Sequence, residues 1–304
     1  MREKYLKQVD TLIEILPIAL ADKRMALKGG TAINLFHRDL PRLSLDIDLC
    51  YLPLEDRVTT FAHIHQILLT IKEQLEDSLG AKVTSNFELD GGKEAKLRVE
   101  LNGTEIKIEP NYTIRGSLFN SIELSLSDNT VAQFRRSFKA NCLSVADTYG
   151  GKICAALDRQ HPRDLFDVKF LFENEGITEQ VKDSFILYLI SHSRPINEIL
   201  EPRLKDISEQ YQGEFVQMSF VDVPQSQLEE VRLELIDAIN KSLSDQDKAF
   251  LISFVSNGPK WELLNHPEVQ DFPSVKWKLF NQNKMKQKAL AEYVDAVKNV
   301  LGRY

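Results

Sequence analysis

Cysteine is scarce in this 304-residue chain: Cys50, Cys142 and Cys154 are scattered, odd in number and without Cys-x-x-Cys spacing. That excludes a disulfide framework and a thiolate zinc site, and leaves three small hydrophobes for a core. Long apolar runs are missing too. No stretch approaches the ~20 residues that span a bilayer, and the opening MREKYLKQVD lacks the apolar core of a secretion signal. A cytoplasmic protein with no membrane partner is expected. Histidine forms no metal pattern: His63 and His65 are two apart in a helical stretch and do not share a face, while His37 and His161 stand alone. No Walker A lysine follows Gly29-Gly30, and PRDLFD lacks the glycine loop, V-A-I-K and D-F-G of a kinase. There is no internal repeat. The net charge of −7 argues against a protein coated in nucleic acid, although a local basic patch is compatible with it.

What is present is an ordinary globular composition, 43% hydrophobic and 27% charged, on a chain long enough for one large domain or two modest ones. Leu6, Val9, Leu12, Ile13 and Leu16 recur at helical spacing, with Pro17 expected to bend or end that helix. Met25 to Leu27 lead into the Gly29-Gly30 turn, and Thr31 to Phe36 form a short helix. LDIDLCY (45–51) alternates as a half-buried strand does, and a helix is expected over 56–79. AKVTSNFEL, AKLRVEL and TEIKIEPNYTI read as strands separated by Gly91-Gly92 and Asn102-Gly103 turns. Together these predict an α/β (α+β) domain with a mixed sheet over 1–140. A mainly helical domain follows over 141–304, with helices at 144–158, 162–175, 179–192, 225–243, 247–256 and 281–300 and strand-like pieces within 202–224.

The chemistry concentrates in LKGGTAINLFHRDLPRLSLDIDLCYL, residues 27–52. On a strand, Asp46 and Asp48 point to one face, where two carboxylates repel unless a cation sits between them. Hard oxygen donors at that spacing suit Mg²⁺, with Mn²⁺ as an alternative, the remaining positions going to water and substrate phosphates. Lys28, Gly29, Gly30 and Thr31 then form a candidate phosphate cradle, because glycine permits close backbone approach and helix-start amides bind anions. A glycine turn followed by a solvated strand face is the plainer alternative. In TEIKIEPNY, Glu105, Lys107 and Glu109 share a face. Glu109, at the strand's end, is the candidate third ligand and Lys107 its partner or a phosphate contact, against the alternative of an edge strand with ordinary salt bridges.

GGT…LDIDL followed by IKIE resembles the active-site signature of the DNA polymerase β nucleotidyltransferase superfamily. More narrowly, LKGGTAINL, RLSLDIDL, GGKICAALDRQHPRDLFDVKFL and the C-terminal SNGPKWELL…PSVKWKLFNQNKM are similar to the AbiEii toxins of type IV abortive-infection toxin–antitoxin pairs. The interval from Gly29-Gly30 to Asp46 is longer than in compact superfamily members, and the inserted HRDLPRLS is a candidate basic, substrate-facing loop. The resemblance implies a polymerase β-like domain, a nucleoside triphosphate substrate, a tRNA 3′ acceptor and a cognate antitoxin. It also implies a lysine contacting the triphosphate and an aspartate assisting near the acceptor. These roles fall on Lys152 and on Asp164, with Asp167 as the alternative aspartate; Asp164 and Asp167 stand at i and i+3 on a helix whose first turn suits Pro162. A lysine charge neutralises a transferred phosphoryl group or departing pyrophosphate, and Arg159 and Arg163 can do likewise. A dipole-favoured helix-start Asp164 and an Asp167 paired to Lys169 or Arg163 are the structural alternatives. Basic segments compatible with RNA are FRRSFK (134–139) and VKWKLFNQNKMKQK (275–288), against the alternative of an ordinary amphipathic helix with Trp277, Leu279 and Phe280 in the core. A transferase that modifies a protein or small molecule, and a nucleotide-binding module without catalysis, remain the competing functions.

Overall fold

The computed structural model describes residues 2–85 and 95–304; the second half of AKVTSNFEL and the Gly91-Gly92 turn lie outside them. Contacts divide the chain into two units, Met1–Thr148 with Glu214–Asp222, and Tyr149–Gly213 with Val223–Tyr304.

The first unit is built on a seven-stranded mixed sheet. Helix α1 (Arg2–Ala19) runs through Pro17 and ends two residues later, so the proline does not stop it. Strand β1 (Met25–Lys28) leads into α2 (Gly29–Ala32), which continues as a π-helical turn over Ile33–His37. Strand β2 (Asp46–Tyr51) follows, then α3 (Arg57–Leu79), which the Asp56 side chain caps by accepting from the Val58 and Thr59 amides and which Gly80 ends in the left-handed region. Strands β3 (Lys82–Ser85), β4 (Leu97–Leu101) and β5 (Thr104–Asn111) come next. Three elements that the pattern did not foretell complete the unit: β6 (Ile122–Ser125), α4 (Asp128–Phe134) and β7 (Lys139–Cys142). The strand order is β3-β4-β5-β2-β1-β7-β6. The central neighbours of β2 are β5, parallel, and β1, antiparallel. Ile47, Leu49 and Tyr51 of β2 and Ile106 and Ile108 of β5 are buried in the main core with Leu12, Leu16, Ile64 and Leu68 of the helices. The alternate residues Asp46, Asp48, Lys107 and Glu109 therefore go to the other face, as the two-residue strand period demands.

HRDLPRLS departs from the expected loop. Leu40 to Ser44 are buried, and Arg42 is bridged to Ser219, with the Leu43 amide donating to the Met218 carbonyl (2.8 Å) and the Phe220 amide to that of Pro41 (2.9 Å). Backbone groups there are satisfied by the returning segment 214–222, so this stretch is largely interior rather than substrate-facing. That return also replaces the strand-like pieces expected within 202–224 with a single bridge among the described residues.

Helix α5 (Val145–Arg159) carries the chain into the second unit. There follow α6 (Pro162–Glu173), capped by His161 with Pro162 at its first turn, α7 (Glu179–Ser191), α8 (Ile196–Leu200), α9 (Ser208–Gln210), α10 (Gln225–Ser242) and α11 (Asp245–Val255). The helix expected over 281–300 is α13 (Gln287–Leu301), which starts six residues later, and α12 (Pro273–Gln282) ahead of it was not foretold. Phe166, Phe185, Phe250 and Phe254 are fully buried at the centre of this bundle. Gly150 and Gly151 have a packing reason: a Cβ at Gly150 would stand 2.6 Å from that of Ser184, and one at Gly151 2.9 Å from the Tyr188 ring. Helices α5 and α7 approach too closely there for any side chain.

Candidate active site

Pairing across the sheet sets the first cluster. Asp48 is opposite Lys28 on β1 and opposite Glu109 on β5, and Asp46 is opposite Lys107. All of these residues are half-buried. Parallel β2–β5 register thus brings the candidate carboxylates Asp46, Asp48 and Glu109 to one face, with Lys107 and Lys28 beside them. Sequence spacing alone left the β2–β5 neighbourhood open.

Gly29 sits at φ +69, and a Cβ there would fall 2.6 Å from Asp48 Oδ2. Only glycine adopts that conformation without strain and leaves room for the carboxylate. At Gly30 a Cβ would lie 2.8 Å from Ser44 Oγ and 2.9 Å from Arg42 Nη2. Thr31 is fully buried; its hydroxyl donates to the Asp46 carbonyl (2.6 Å) and lies 3.0 Å from Ser44 Oγ. The role expected for Thr31, a hydroxyl offered to phosphate, is therefore replaced by a tie between the glycine turn and the start of β2. Asn34 adds a second tie, its Nδ2 donating to the Gly30 carbonyl at 2.9 Å. Arg42 and Ser44 escaped sequence reading because their partners come from the turn and from residues far along the chain.

Lys96 is a further participant without sequence signal. Its ammonium donates to Glu109 Oε1 at 3.0 Å. Among the described residues, no three His, Cys, Asp or Glu side chains converge closely enough to hold a metal ion. The donor chemistry nevertheless fits a hard cation at Asp46 and Asp48, since Mg²⁺ is commonly held by one or two carboxylates and completes its shell with water and phosphate. Lys96 holds Oε1 of Glu109 and so competes with a cation for that carboxylate.

The second cluster lies within the helical unit. Lys152 Nζ is 2.8 Å from Asp164 Oδ1 and 3.0 Å from Asp167 Oδ2, and its side chain is 6% exposed against 1% for each aspartate. Arg159 reaches Asp164 from a largely exposed position, with its Nη2 2.9 Å from Oδ1. Burial by itself would raise the Asp164 carboxyl, but the charges and hydrogen bonds of Lys152 and Arg159 outweigh it and hold the group well below the usual carboxylate range. Lys169 pairs instead with Glu173, and the Arg163 amide donates to His161 Nδ1 at 3.1 Å. The i, i+3 spacing brings both aspartates to one lysine, a buried ion cluster joining α5 to α6.

The basic segments differ in their engagement. In FRRSFK, Arg136 is bound to Asp10 and Glu14 of α1, and Lys139 lies 3.7 Å from Glu123. In 275–288, Trp277 and Phe280 are exposed rather than core. No helix among the described residues is long and apolar enough to cross a membrane.

No curated protein matches the sequence. Among solved structures, MenT4, a nucleotidyltransferase toxin from Mycobacterium tuberculosis H37Rv, is similar at a TM-score of 0.60 and 13% identity, covering 96% of this chain and 93% of that one. The similarity is one of fold. The family described as nucleotidyl transferase AbiEii toxin, type IV TA system, matches residues 11–281, a span that contains both clusters. The chain belongs to the AbiEii nucleotidyltransferase toxin family.

Proposed function

We propose that this chain transfers a nucleoside monophosphate from a nucleoside triphosphate to an acceptor hydroxyl, that the acceptor is the 3′ end of tRNA, and that a cognate antitoxin restrains it in the cytoplasm. The observation that carries the reading is the pair Asp46 and Asp48 on one strand face with Gly29 pressed against the Asp48 carboxylate. Asp46 and Asp48 would hold Mg²⁺, which when bound supplies charge neutralisation to the triphosphate and the pyrophosphate. The Gly29-Gly30 backbone, with Lys28, would orient the phosphates, and Lys107 adds positive charge on the same face. Glu109, whose Oε1 also meets Lys96, is the third carboxylate. The acceptor oxygen forms a bond to the α-phosphorus as the bond to the β-phosphate bridging oxygen breaks; pyrophosphate leaves, and the hydroxyl proton passes to water. Positioning accounts for most of the acceleration in such a displacement.

The family resemblance assigns Lys152 to the triphosphate and Asp164 or Asp167 to the acceptor; Arg163, by its charge alone, is a further nucleotide contact. Burial of Lys152 between both aspartates supports a second reading of that cluster, as a structural lock of the helical unit. Expression without antitoxin tests the proposal. Bacterial growth should arrest, arrest should vanish with Asp48→Ala, and tRNA from arrested cells should carry added 3′ nucleotides. Arrest with unaltered tRNA ends would discard this acceptor, and no arrest at confirmed expression would favour a transferase acting on another substrate.

A further inference from the structure

Helix α12 presents two faces of opposite character. On one, Val275 and Ser274 are buried, with the Ser274 hydroxyl 2.9 Å from that of Ser191. Gln282 Nε2 donates to the Phe254 carbonyl (2.8 Å) and Asn257 Oδ1 (2.6 Å). The Lys278 ammonium is drawn inward to the carbonyls of Leu189 (3.3 Å), His192 (2.7 Å) and Arg194 (2.9 Å), where α7 ends. This face is thus pinned to its own unit at four positions. The other face carries Trp277, 59% exposed, and Phe280, 51% exposed. Their rings stack at 5.6 Å between centroids and 27° between planes, and Lys284 Nζ stands 3.8 Å from the Phe280 centroid.

Two large aromatics side by side on the outer face of a pinned helix offer a flat, rigid surface. Charge says what it suits. Between Phe272 and Ala291 the chain has five lysines, at 276, 278, 284, 286 and 288, and no aspartate or glutamate, although the whole chain is net acidic at −7. Lys284, Lys286 and Lys288 are exposed; Lys276 lies 3.0 Å from Asp271 and Lys288 3.9 Å from Glu292. Stacked rings flanked by cations are what unpaired bases with their phosphates fit: π-faces pair with bases of any identity, and lysines track the backbone. FRRSFK offers no comparable stacking surface, because Phe134 and Phe138 pack against the core and are not exposed.

We infer that Trp277, Phe280 and Lys284 form a stacking platform for single-stranded RNA, taking unpaired bases of the acceptor. The platform deepens the RNA-acceptor reading and rests on it, but its test requires no catalysis. The chain has two tryptophans, so Trp261→Phe leaves Trp277 as the sole tryptophan, read under excitation that passes over the tyrosines, and Trp261 lies in the Phe250–Phe254 ring cluster where phenylalanine keeps the aromatic contact. In that background a short single-stranded oligoribonucleotide should quench fluorescence saturably, whereas inorganic polyphosphate should not. Trp277→Ala in the otherwise natural chain, read by fluorescent-oligonucleotide anisotropy, should weaken binding ~10-fold or more. Replacing Lys284, Lys286 and Lys288 with Gln should flatten the salt dependence by about two in log–log slope. Equal effects of polyphosphate and oligonucleotide, or unaltered binding by Trp277→Ala with intact helical circular dichroism, would overturn the platform. Quenching without nucleotide transfer would uphold the platform and refute the transferase reading; transfer without quenching would do the reverse.

Discussion

Gly29→Ala, set against Gly80→Ala, isolates the contact on which the candidate active site depends. Both glycines have left-handed φ, +69 and +62, and a Cβ at Gly80 meets nothing within 4 Å. Each substitution therefore costs the same backbone strain, about 1–2 kcal/mol, partly offset by the stiffer unfolded chain. A loss of that size lowers the melting midpoint by roughly 2–4 °C in a chain of comparable size. At Gly29 the new methyl also stands 2.6 Å from Asp48 Oδ2, against an ordinary separation near 3.4 Å, so the carboxylate must swing away by most of an ångström. That swing is cheap in stability because Oδ2 ends a half-buried side chain that can rotate. It is expensive in chemistry, since a misplacement of about 1 Å costs about 10²-fold. The two variants should differ by less than about 1 kcal/mol in urea unfolding. Gly80→Ala should keep nucleotide transfer and Mn²⁺ binding, while Gly29→Ala should lose ~10² or more of turnover and weaken Mn²⁺ binding. A folded Gly29→Ala protein with turnover within a few fold of Gly80→Ala would refute the placement of Asp48 in the site.

Other perturbations probe separate parts. Lys96→Met removes an ion pair with partly exposed partners, so stability should change by at most about 1 kcal/mol; if Glu109 is a ligand, Mn²⁺ affinity should rise, and unchanged affinity would leave Glu109 outside the site. Asp164→Asn breaks a buried pair and should cost about 3–5 kcal/mol by chemical denaturation at neutral pH. Because the folded carboxyl is held low, its stabilising contribution is present above the ordinary aspartate range and should fade only as pH falls below it; a change under 1 kcal/mol would contradict the lock. Lys152→Ala should lower turnover ~10²-fold or more if the lysine meets the triphosphate, and by less than a few fold per folded molecule if it only joins helices. Burial pushes the Lys278 ammonium down to about 8 from 10.5, so the unfolded chain binds the extra proton between those values. The stability of the natural chain relative to Lys278→Met should therefore rise by up to about 3 kcal/mol from pH 8 to 10.5 and stay flat below; a difference independent of pH would mean that the three carbonyls offset the desolvation and the ammonium is not lowered.

Alternation in LDIDLCY and TEIKIEPNY was enough to give Asp46, Asp48, Lys107 and Glu109 one face each, because strand geometry fixes that from spacing alone. Gly29-Gly30 was legible as a turn, but the reason for it, the Asp48 carboxylate against the first glycine, needs the β1–β2 register. Strand β6 escaped notice because its four residues are nearly all exposed and so carry no alternation. The break at 283–286 has no proline or glycine to announce it; only the stop at Asn283 and the extended Lys286 reveal it. HRDLPRLS misled through its two arginines, since Arg42 is buried by contacts with a segment that returns from residues 214–222. For the glycine turn and for HRDLPRLS the missing information was long-range: which strand neighbours which, and which distant backbone satisfies a buried polar group.

Transfer itself is the most direct test. The purified chain is incubated with total tRNA and Mg²⁺ and with each of the four α-labelled nucleoside triphosphates in turn, beside an Asp48→Ala variant shown to unfold at the same denaturant midpoint. The account predicts label on the RNA 3′ terminus with at least one triphosphate, pyrophosphate released in equal amount, and loss of both in Asp48→Ala. Label that persists undiminished in folded Asp48→Ala, or a folded natural chain that transfers nothing from any triphosphate, would contradict it.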